Sequence, residues 1–440
     1  MGFKIQVIYW FLYYKFKTLK TRSAIDKHQA KLLKKQFKKT LSRSEFYKQF
    51  RQPILENLPI IDKSVFMENF NRINTVGIHK EDAWQIATKS EESRDFSSMI
   101  GTIAVGLSSG TTGNRGLFLV SEKERAHWVG AVLAKVVKPQ LKKTKIAFFL
   151  RSSNQLYQAA SNFIQFHYFD LEKNWADLMK ELNLFNPQII VAQPSVLKAI
   201  ADGQKNKTLV LSPERIVSVA EILEEEDQHN IEQVFGLRLH QVYQCTEGFL
   251  AHTCEHHNLH FNEDIVKIEY KKIDEQNNRC FPIITDLRRT TQPVIRYCLN
   301  DIVQISKEEC SCGSPFVYIK KIEGRQDDML VFSKKIDQQK VLVFPDFIRR
   351  IMLLSSDKIE NYIIEQRNYL QLNVFLQMES EAFDSIKTLI KNQFNVFENQ
   401  NNLEPVELIF EMGIPFSPMK KNRRIIKQIK EDKNKTYPYL

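Results

Sequence analysis

The sequence predicts an α/β protein: a large multi-layer domain of mixed sheets and helices, followed by a small α+β domain. Three observations predict it. Apolar, β-branched runs alternate with helical stretches between residues 146 and 236, the pattern of layered sheets with largely parallel strands. Past Asp328 the pattern changes to strand, helix, strand. The chain has 440 residues, 43% of them hydrophobic, with only 14 Gly and 14 Pro. Such a chain can bury more than one core, which excludes disordered, collagen-like and low-complexity classes.

In chain order, residues 1–95 read as a mainly helical lead-in, with apolar side chains at mixed three- and four-residue spacing over 24–90. Residues 5–14 are apolar and aromatic, bracketed by Lys4 and Lys15. A bilayer span needs about 20 apolar residues, and no small-residue cleavage site follows. A soluble cytoplasmic protein without a transmembrane segment is therefore expected, with membrane-surface contact by this segment left open. A loop rich in Ser, Thr and Gly comes next, at residues 107–116. Residues 146–150 and 188–192 read as buried strands, and 195–201 and 221–235 as helices, the second stopped by Gly236. Leu370, Leu372, Val374, Leu376 and Met378 alternate as in a half-buried strand. Phe383, Ile386, Ile390 and Phe394 follow a helical period, and Val406, Leu408 and Phe410 alternate again. The boundary falls near Asp327, giving domains 1–326 and 327–440.

The net charge is +11. Much of it sits in two runs, residues 31–39 and 420–424, and the first reads as a solvated helix face. No aromatic-basic recognition motif accompanies the charge, so no nucleic-acid partner is expected. Six cysteines in a chain this long are too sparse for a disulfide scaffold.

Ser108-Ser-Gly-Thr-Thr-Gly-Asn-Arg-Gly116 follows an apolar segment. Glycine lets backbone N–H groups converge, and the hydroxyls add donors, which suits an anion cradle. No Gly-Lys-Ser/Thr ends it, so it is not a Walker loop. The order of residues resembles the signature loop of adenylate-forming enzymes, the superfamily of acyl-CoA synthetases, adenylation domains and luciferases. Tyr243-Gln-Cys-Thr-Glu-Gly-Phe-Leu-Ala251, Arg296-Tyr-Cys-Leu-Asn-Asp301 and Gly324-Arg-Gln-Asp-Asp328 resemble further motifs of that superfamily, in the same order. The wording of the first looks like the phenylacetate–CoA ligase and coenzyme-F synthetase-related branch.

The resemblance implies ATP-dependent, AMP-forming activation of a carboxylic acid through an acyl-adenylate. It implies that Ser108, Ser109, Gly110, Thr111, Thr112, Gly113 and Arg115 meet the ATP phosphates, and that Thr246 and Glu247 act at the phosphate and at Mg²⁺. Tyr243, Asp301 and Arg325 would meet the ribose and adenine, and Asp327 would be the hinge of a mobile small domain. Lys421, with Lys420 as the fallback, matches the catalytic lysine. His167, Tyr168 and Ala220 fall in the substrate-pocket region, whose aromatic wall suggests an aryl or other apolar acid. Many relatives have a lysine in the loop where this chain has Asn114-Arg115. Residues 329–340 lack the glycine-containing turn usual in relatives that make CoA thioesters. CoA, a carrier-protein thiol or an amine therefore all stand as acceptors. The rival outside catalysis is a silent nucleotide-binding interaction protein.

Cys254-Glu-His-His-Asn-Leu-His260 and Cys310-Ser-Cys312 form a second constellation of soft ligands. Cys254, His260, Cys310 and Cys312 are the predicted ligands of a structural Zn²⁺, with His256 and His257 as alternates. Cys245, Cys280 and Cys298 read as packing residues. Such a zinc would tie the segment after the Thr-Glu motif to the approach to the hinge.

Overall fold

The computed structural model describes residues 2–50, 54–93, 98–108, 115–139, 143–150, 164–414, 423–429 and 437–440. The chain divides into two compact units. One comprises Met1–Lys271, Pro282–Leu299 and Ile305–Lys320; the other comprises Lys272–Phe281, Asn300–Gln304 and Lys321–Leu440.

In the first unit, helices Phe3–Phe16, Arg22–Thr40 and Lys80–Glu92 carry most of the lead-in. The expected helical run is interrupted between 41 and 62, where the described residues hold only the short turn Leu55–Asn57. The lysines of the 31–39 run are exposed, while Leu32 and Gln36 between them are buried. A three-stranded antiparallel sheet follows, Met99–Ile100, Ile103–Leu107 and Leu117–Ser121. Five strands then lie parallel, in the order Ile164–Asp170, Thr144–Leu150, Ile189–Ala192, Arg215–Val219, His240–Cys245. Helices Trp175–Phe185, Pro194–Lys205 and Glu225–Phe235 cover one face through Ala147, Phe149, Phe169, Ile190 and Ile216. The predicted helix over 221–235 starts only at Glu225, because Ala220 turns the chain at φ +68°. Gly236 ends it at φ +64°, a conformation glycine adopts without a Cβ clash.

In the second unit, four strands run Glu407–Met412, Gln371–Gln377, Asn361–Asn368, Ile425–Lys427. The middle pair is antiparallel and the outer pairs parallel. Helices Pro345–Ser355 and Phe383–Gln400 pack on it through Ile348, Ile386, Ile390 and Phe394. The strand expected to be half-buried is buried on both faces from Leu372 to Leu376. Leu370 lies in the preceding turn, 62% exposed.

Helix Phe3–Phe16 docks against helix Glu122–Val132. A Cβ on Gly130 would lie 2.5 Å from Trp10 Cβ and 2.8 Å from the Val7 carbonyl, so the glycine sets this close approach. Tyr14 Oη lies 2.6 Å from His127 Nε2 in the same interface. Burial, and then the nearby Arg288 charge, hold His127 well below its ordinary value of 6.5. The folded state keeps this imidazole neutral while the unfolded chain protonates it, so its contribution is complete above pH 6.5 and falls as pH drops below that value. Urea unfolding should show stability lost at up to about 1.4 kcal/mol per pH unit below there. The His127→Gln variant should show a shallower slope.

Candidate active site and metal centre

The Ser/Thr/Gly loop connects an antiparallel hairpin. Leu107 pairs with Leu117, and Ser108 closes the loop twice. Its N–H donates to Gly116 O at 2.8 Å, and its Oγ accepts from Gly116 N–H at 2.6 Å. A Cβ on Gly116 would come within 2.7 Å of the Phe118 ring, so glycine is needed where the chain leaves the loop. Ser109, Gly110, Thr111, Thr112 and Gly113 lie outside the described residues. Arg115 makes a two-pronged pair with Glu91 (Nη1 to Oε2, 2.6 Å), and its Nε donates to Ser108 O at 3.1 Å. Lys63 Nζ donates to Ser108 Oγ at 3.3 Å. Sequence reasoning missed Lys63, since a lysine 45 residues upstream carries no local signal.

Thr246 and Glu247 form the tight turn between strands His240–Cys245 and Gly248–Thr253. Glu247 is buried, and Thr246 Oγ1 donates to its Oε2 at 2.9 Å. Burial, then the charge and hydrogen bond of Glu247, push the Tyr297 phenol far above its usual range, so Tyr297 stays a neutral donor. Arg289, itself buried, holds the turn from behind. Its Nη1 donates to Thr246 O at 2.7 Å and its Nη2 to Leu119 O at 3.2 Å. Gln292 accepts from Leu119 N–H at 2.9 Å. Leu119 belongs to the strand that leaves the Ser/Thr/Gly loop, so one guanidinium sets the spacing between loop and turn. Tyr243 is buried on the strand leading into the turn, opposite Ala251.

Asp301, Arg325 and Asp327 converge within the second unit. Arg325 Nε donates to Asp301 Oδ1 at 3.2 Å, and Asn300 Nδ2 donates to Asp327 Oδ2 at 3.0 Å. Asp328 accepts from the Arg325 N–H at 3.1 Å and pairs with Arg423. Lys420 and Lys421, which shortly precede Arg423, lie outside the described residues.

His167 Nε2 lies 2.7 Å from Glu181 Oε1, and its ring packs on Phe169 and Phe185, on the sheet face that the three helices cover. Tyr168 points to the opposite face. There Phe148 and Phe166, with Trp128, Val132, Leu133 and Val137, line a small apolar cavity. The Trp128 indole N–H is buried without a partner among the described residues. Sequence reasoning missed this lining, because it joins a helix to a strand across the fold. Glu221, next to Ala220, accepts from Ser195 Oγ at 2.8 Å.

The structure brings Cys254, His260, Cys310 and Cys312 together, with one ligand atom from each lying within 4.8 Å of the others. Cys254 Sγ and Cys310 Sγ are 3.9 Å apart, and Cys312 Sγ is 3.5 Å from His260 Nε2. Tetrahedral zinc at usual bond lengths sets sulfurs about 3.8 Å apart and sulfur to nitrogen about 3.6 Å, so the set fits. His260 Nδ1–H donates to Phe316 O at 2.8 Å, leaving the Nε2 lone pair for a metal. The sulfurs accept N–H groups from His256 (3.3 Å), Asn258 (3.1 Å) and Ser314 (3.4 Å). Burial raises both Cys310 and Cys312. Donors led by the Asn258 amide bring Cys310 down to about 6, while Cys312, crowded by Cys310 and Cys254, stands at about 12. A divalent cation would relieve that crowding. The alternates are engaged elsewhere: His256 Nδ1 with Ser311 Oγ at 2.7 Å, and His257 Nδ1 with Leu239 O at 3.0 Å. Of the packing cysteines, Cys280 is buried and burial pushes it to about 12, and burial also raises Cys298.

No family model matches the sequence. The chain is similar to the phenylacetate-coenzyme A ligase of Thermus thermophilus, 25% identical over 198 residues, or 42% of this chain and 43% of that protein. It is similar to Protein CapK of Staphylococcus aureus, 26% identical over 262 residues, or 57% and 55% of the two chains. It thus spans about half the length of the curated relatives it matches. Its fold matches 2-hydroxyisobutyryl-CoA ligase, solved in the postadenylation state in complex with 2-HIB-AMP, at a TM-score of 0.66 and 15% identity. That match covers 92% of this chain and 89% of the other. In sequence and in fold the chain is thus similar to adenylate-forming enzymes.

Two outcomes follow. Protein purified without added zinc should carry close to one equivalent by elemental analysis, and Cys310→Ser should lose it with a fall in Tm on the order of 5–10 °C. Arg289→Met should cost about 2–4 kcal/mol in urea unfolding, because two carbonyls lose a buried charged donor.

Proposed function

We propose that the protein is an ATP-dependent, AMP-forming carboxylate ligase that works through an acyl-adenylate. One observation carries this reading: Arg289 couples the strand that leaves the loop of hydroxyls and glycines to a turn bearing a buried carboxylate. The curated relatives and the shared fold support it. A carboxylate oxygen of the acid attacks the α-phosphorus of ATP, the bond to the β-phosphate bridging oxygen breaks, and pyrophosphate leaves. The barrier is electrostatic, since two anions meet and charge grows on the phosphoryl oxygens. Ser108, Ser109, Gly110, Thr111, Thr112 and Gly113 offer donors to the phosphates, with Lys63 at the loop's edge supplying positive charge.

Glu247 is a hard oxygen ligand whose side-chain partners, Thr246 and Tyr297, are neutral hydroxyls. The site therefore suits Mg²⁺, which when bound would neutralise phosphate charge. Asp301 and Arg325 would hold the ribose, with Tyr243 beside the adenine. Small domain 327–440 would rotate about Asp327, bringing Lys421 to the reacting phosphate and excluding water. The acid would lie on the Tyr168 side of the sheet, near Ala220; the apolar cavity lined by Phe148 and Phe166 has room for about one water and would not itself hold it. The aromatic residues of that strand favour an aryl or other apolar acid. His167, tied to Glu181 on the other sheet face, would brace the strand.

In the second half-reaction a thiol sulfur attacks the acyl carbon and AMP leaves. CoA is the acceptor the relatives favour, and a carrier-protein thiol or an amine is the alternative. The four-ligand zinc would be structural, because adenylation needs no open metal position.

ATP–pyrophosphate exchange over a panel of aryl and aliphatic acids tests the reading. At least one acid should support exchange. Lys421→Ala should lower that exchange by about 10²-fold or more while ATP binding stays within a few-fold. Unchanged exchange in Lys421→Ala would refute the role of the lysine.

A further inference from the structure

The helix Phe3–Phe16 has an apolar side that no described residue covers. Ile5, Ile8, Tyr9, Leu12 and Phe16 are 58, 57, 53, 45 and 72% exposed. Their three- and four-residue spacing sets them in one stripe about 100° wide. The opposite side is fully engaged. Val7 and Tyr14 are buried, Trp10 fits against Gly130, and the Arg288 guanidinium sits 4.6 Å from the Trp10 ring and 5.4 Å from the Tyr13 ring. A helix apolar on all sides normally lies inside a protein. This one is clamped on one side and presents the other outward.

The charge bordering the stripe is basic, while the exposed Glu122 meets Gln6 on the docked side of the helix. Lys4 and Lys15 border the stripe, and the helix contains no acidic residue. The next helix, Arg22–Thr40, places Lys27, Lys31, Lys34 and Lys38 along a single exposed line, with Ile25, Gln29, Leu32 and Gln36 facing inward. Its one acid, Asp26, is paired with Arg22.

We propose that these two helices form a docking surface for an anionic lipid bilayer. The apolar stripe enters the boundary between headgroups and acyl chains, and the lysines meet lipid phosphates and carboxylates. With 14 residues the first helix is too short to span a bilayer, so it lies in the interface plane. Either signal alone gives weak, reversible association, and the two together give stable docking. Charge favours lipid over a second copy of the chain, because a two-fold pairing of this helix would set lysine against lysine at both ends.

Vesicle flotation of the full chain tests the proposal. The protein should float with phosphatidylcholine vesicles containing phosphatidylserine, float poorly with phosphatidylcholine alone, and be released by salt. Ile8→Glu with Leu12→Glu, and separately Lys31→Gln with Lys34→Gln and Lys38→Gln, should each weaken partitioning by about tenfold or more. All these positions are exposed, so the melting temperature should stay unchanged. No flotation at low salt, equal binding to uncharged vesicles, or binding indifferent to both sets of substitutions would overturn it. So would a dimer that Ile8→Glu with Leu12→Glu dissolves while vesicles remain unbound, which would assign the stripe to a second copy.

Discussion

The arrangement of the large unit rests on the Arg289 guanidinium, shared between the carbonyls of Thr246 and Leu119. The strand that leaves the hairpin loop and the turn at Thr246 come from segments far apart in the chain. A planar, always-charged fork bonded to one carbonyl from each ties the two together. The link is supported on both sides. Gln292 bonds the same strand at Leu119, and the Glu124 carboxylate accepts the backbone N–H groups of Thr290 and Thr291 at 2.5 and 2.9 Å. The chain from 286 to 292 thereby becomes a strut.

Legibility in the sequence follows from how local each signal is. The parallel sheet and its covering helices were readable because burial forces residue types at fixed periods. The Cys and His residues that meet in space were also readable, because metal chemistry restricts the side chains and two short clusters hold all four. Arg289 and Lys63 were not, since an arginine after strand Arg279–Asp286 and a lysine opening a short helix look like ordinary surface charge until the fold closes. The error over the strand Gln371–Gln377 has a similar origin. Alternation of Leu372, Val374 and Leu376 with Gln371, Asn373 and Gln377 implies one wet face, yet Asn373 and Phe375 on that face are buried too, at 5 and 6% exposure. Periodicity reports the face a residue prefers and is blind to what later covers the other face.

The same distinction explains the pocket. His167 and Tyr168 are adjacent in sequence, and strand geometry sends them to opposite sides of the sheet. One is committed to Glu181 and two phenylalanines, and the other stands beside the cavity lined by Phe148 and Phe166. A run of aromatics on a strand therefore serves two cores at once, and counting aromatics along the chain cannot separate them.

Charge placement around Glu247 accounts for the chemistry assigned to it. The positive charge of Arg289 is directed at backbone carbonyls, while the Glu247 carboxylate is met by Thr246 and by Tyr297, both neutral. Burying an anion among neutral donors is costly unless a cation arrives to share the site. An arginine aimed at the carboxylate itself would have removed that cost, and with it the capacity to bind a metal. By holding the peptide and not the side chain, Arg289 fixes the turn and leaves the carboxylate, among the described residues, to neutral hydroxyls. In the reading proposed above, a divalent ion would take up the acceptor capacity that those neutral hydroxyls leave on the carboxylate.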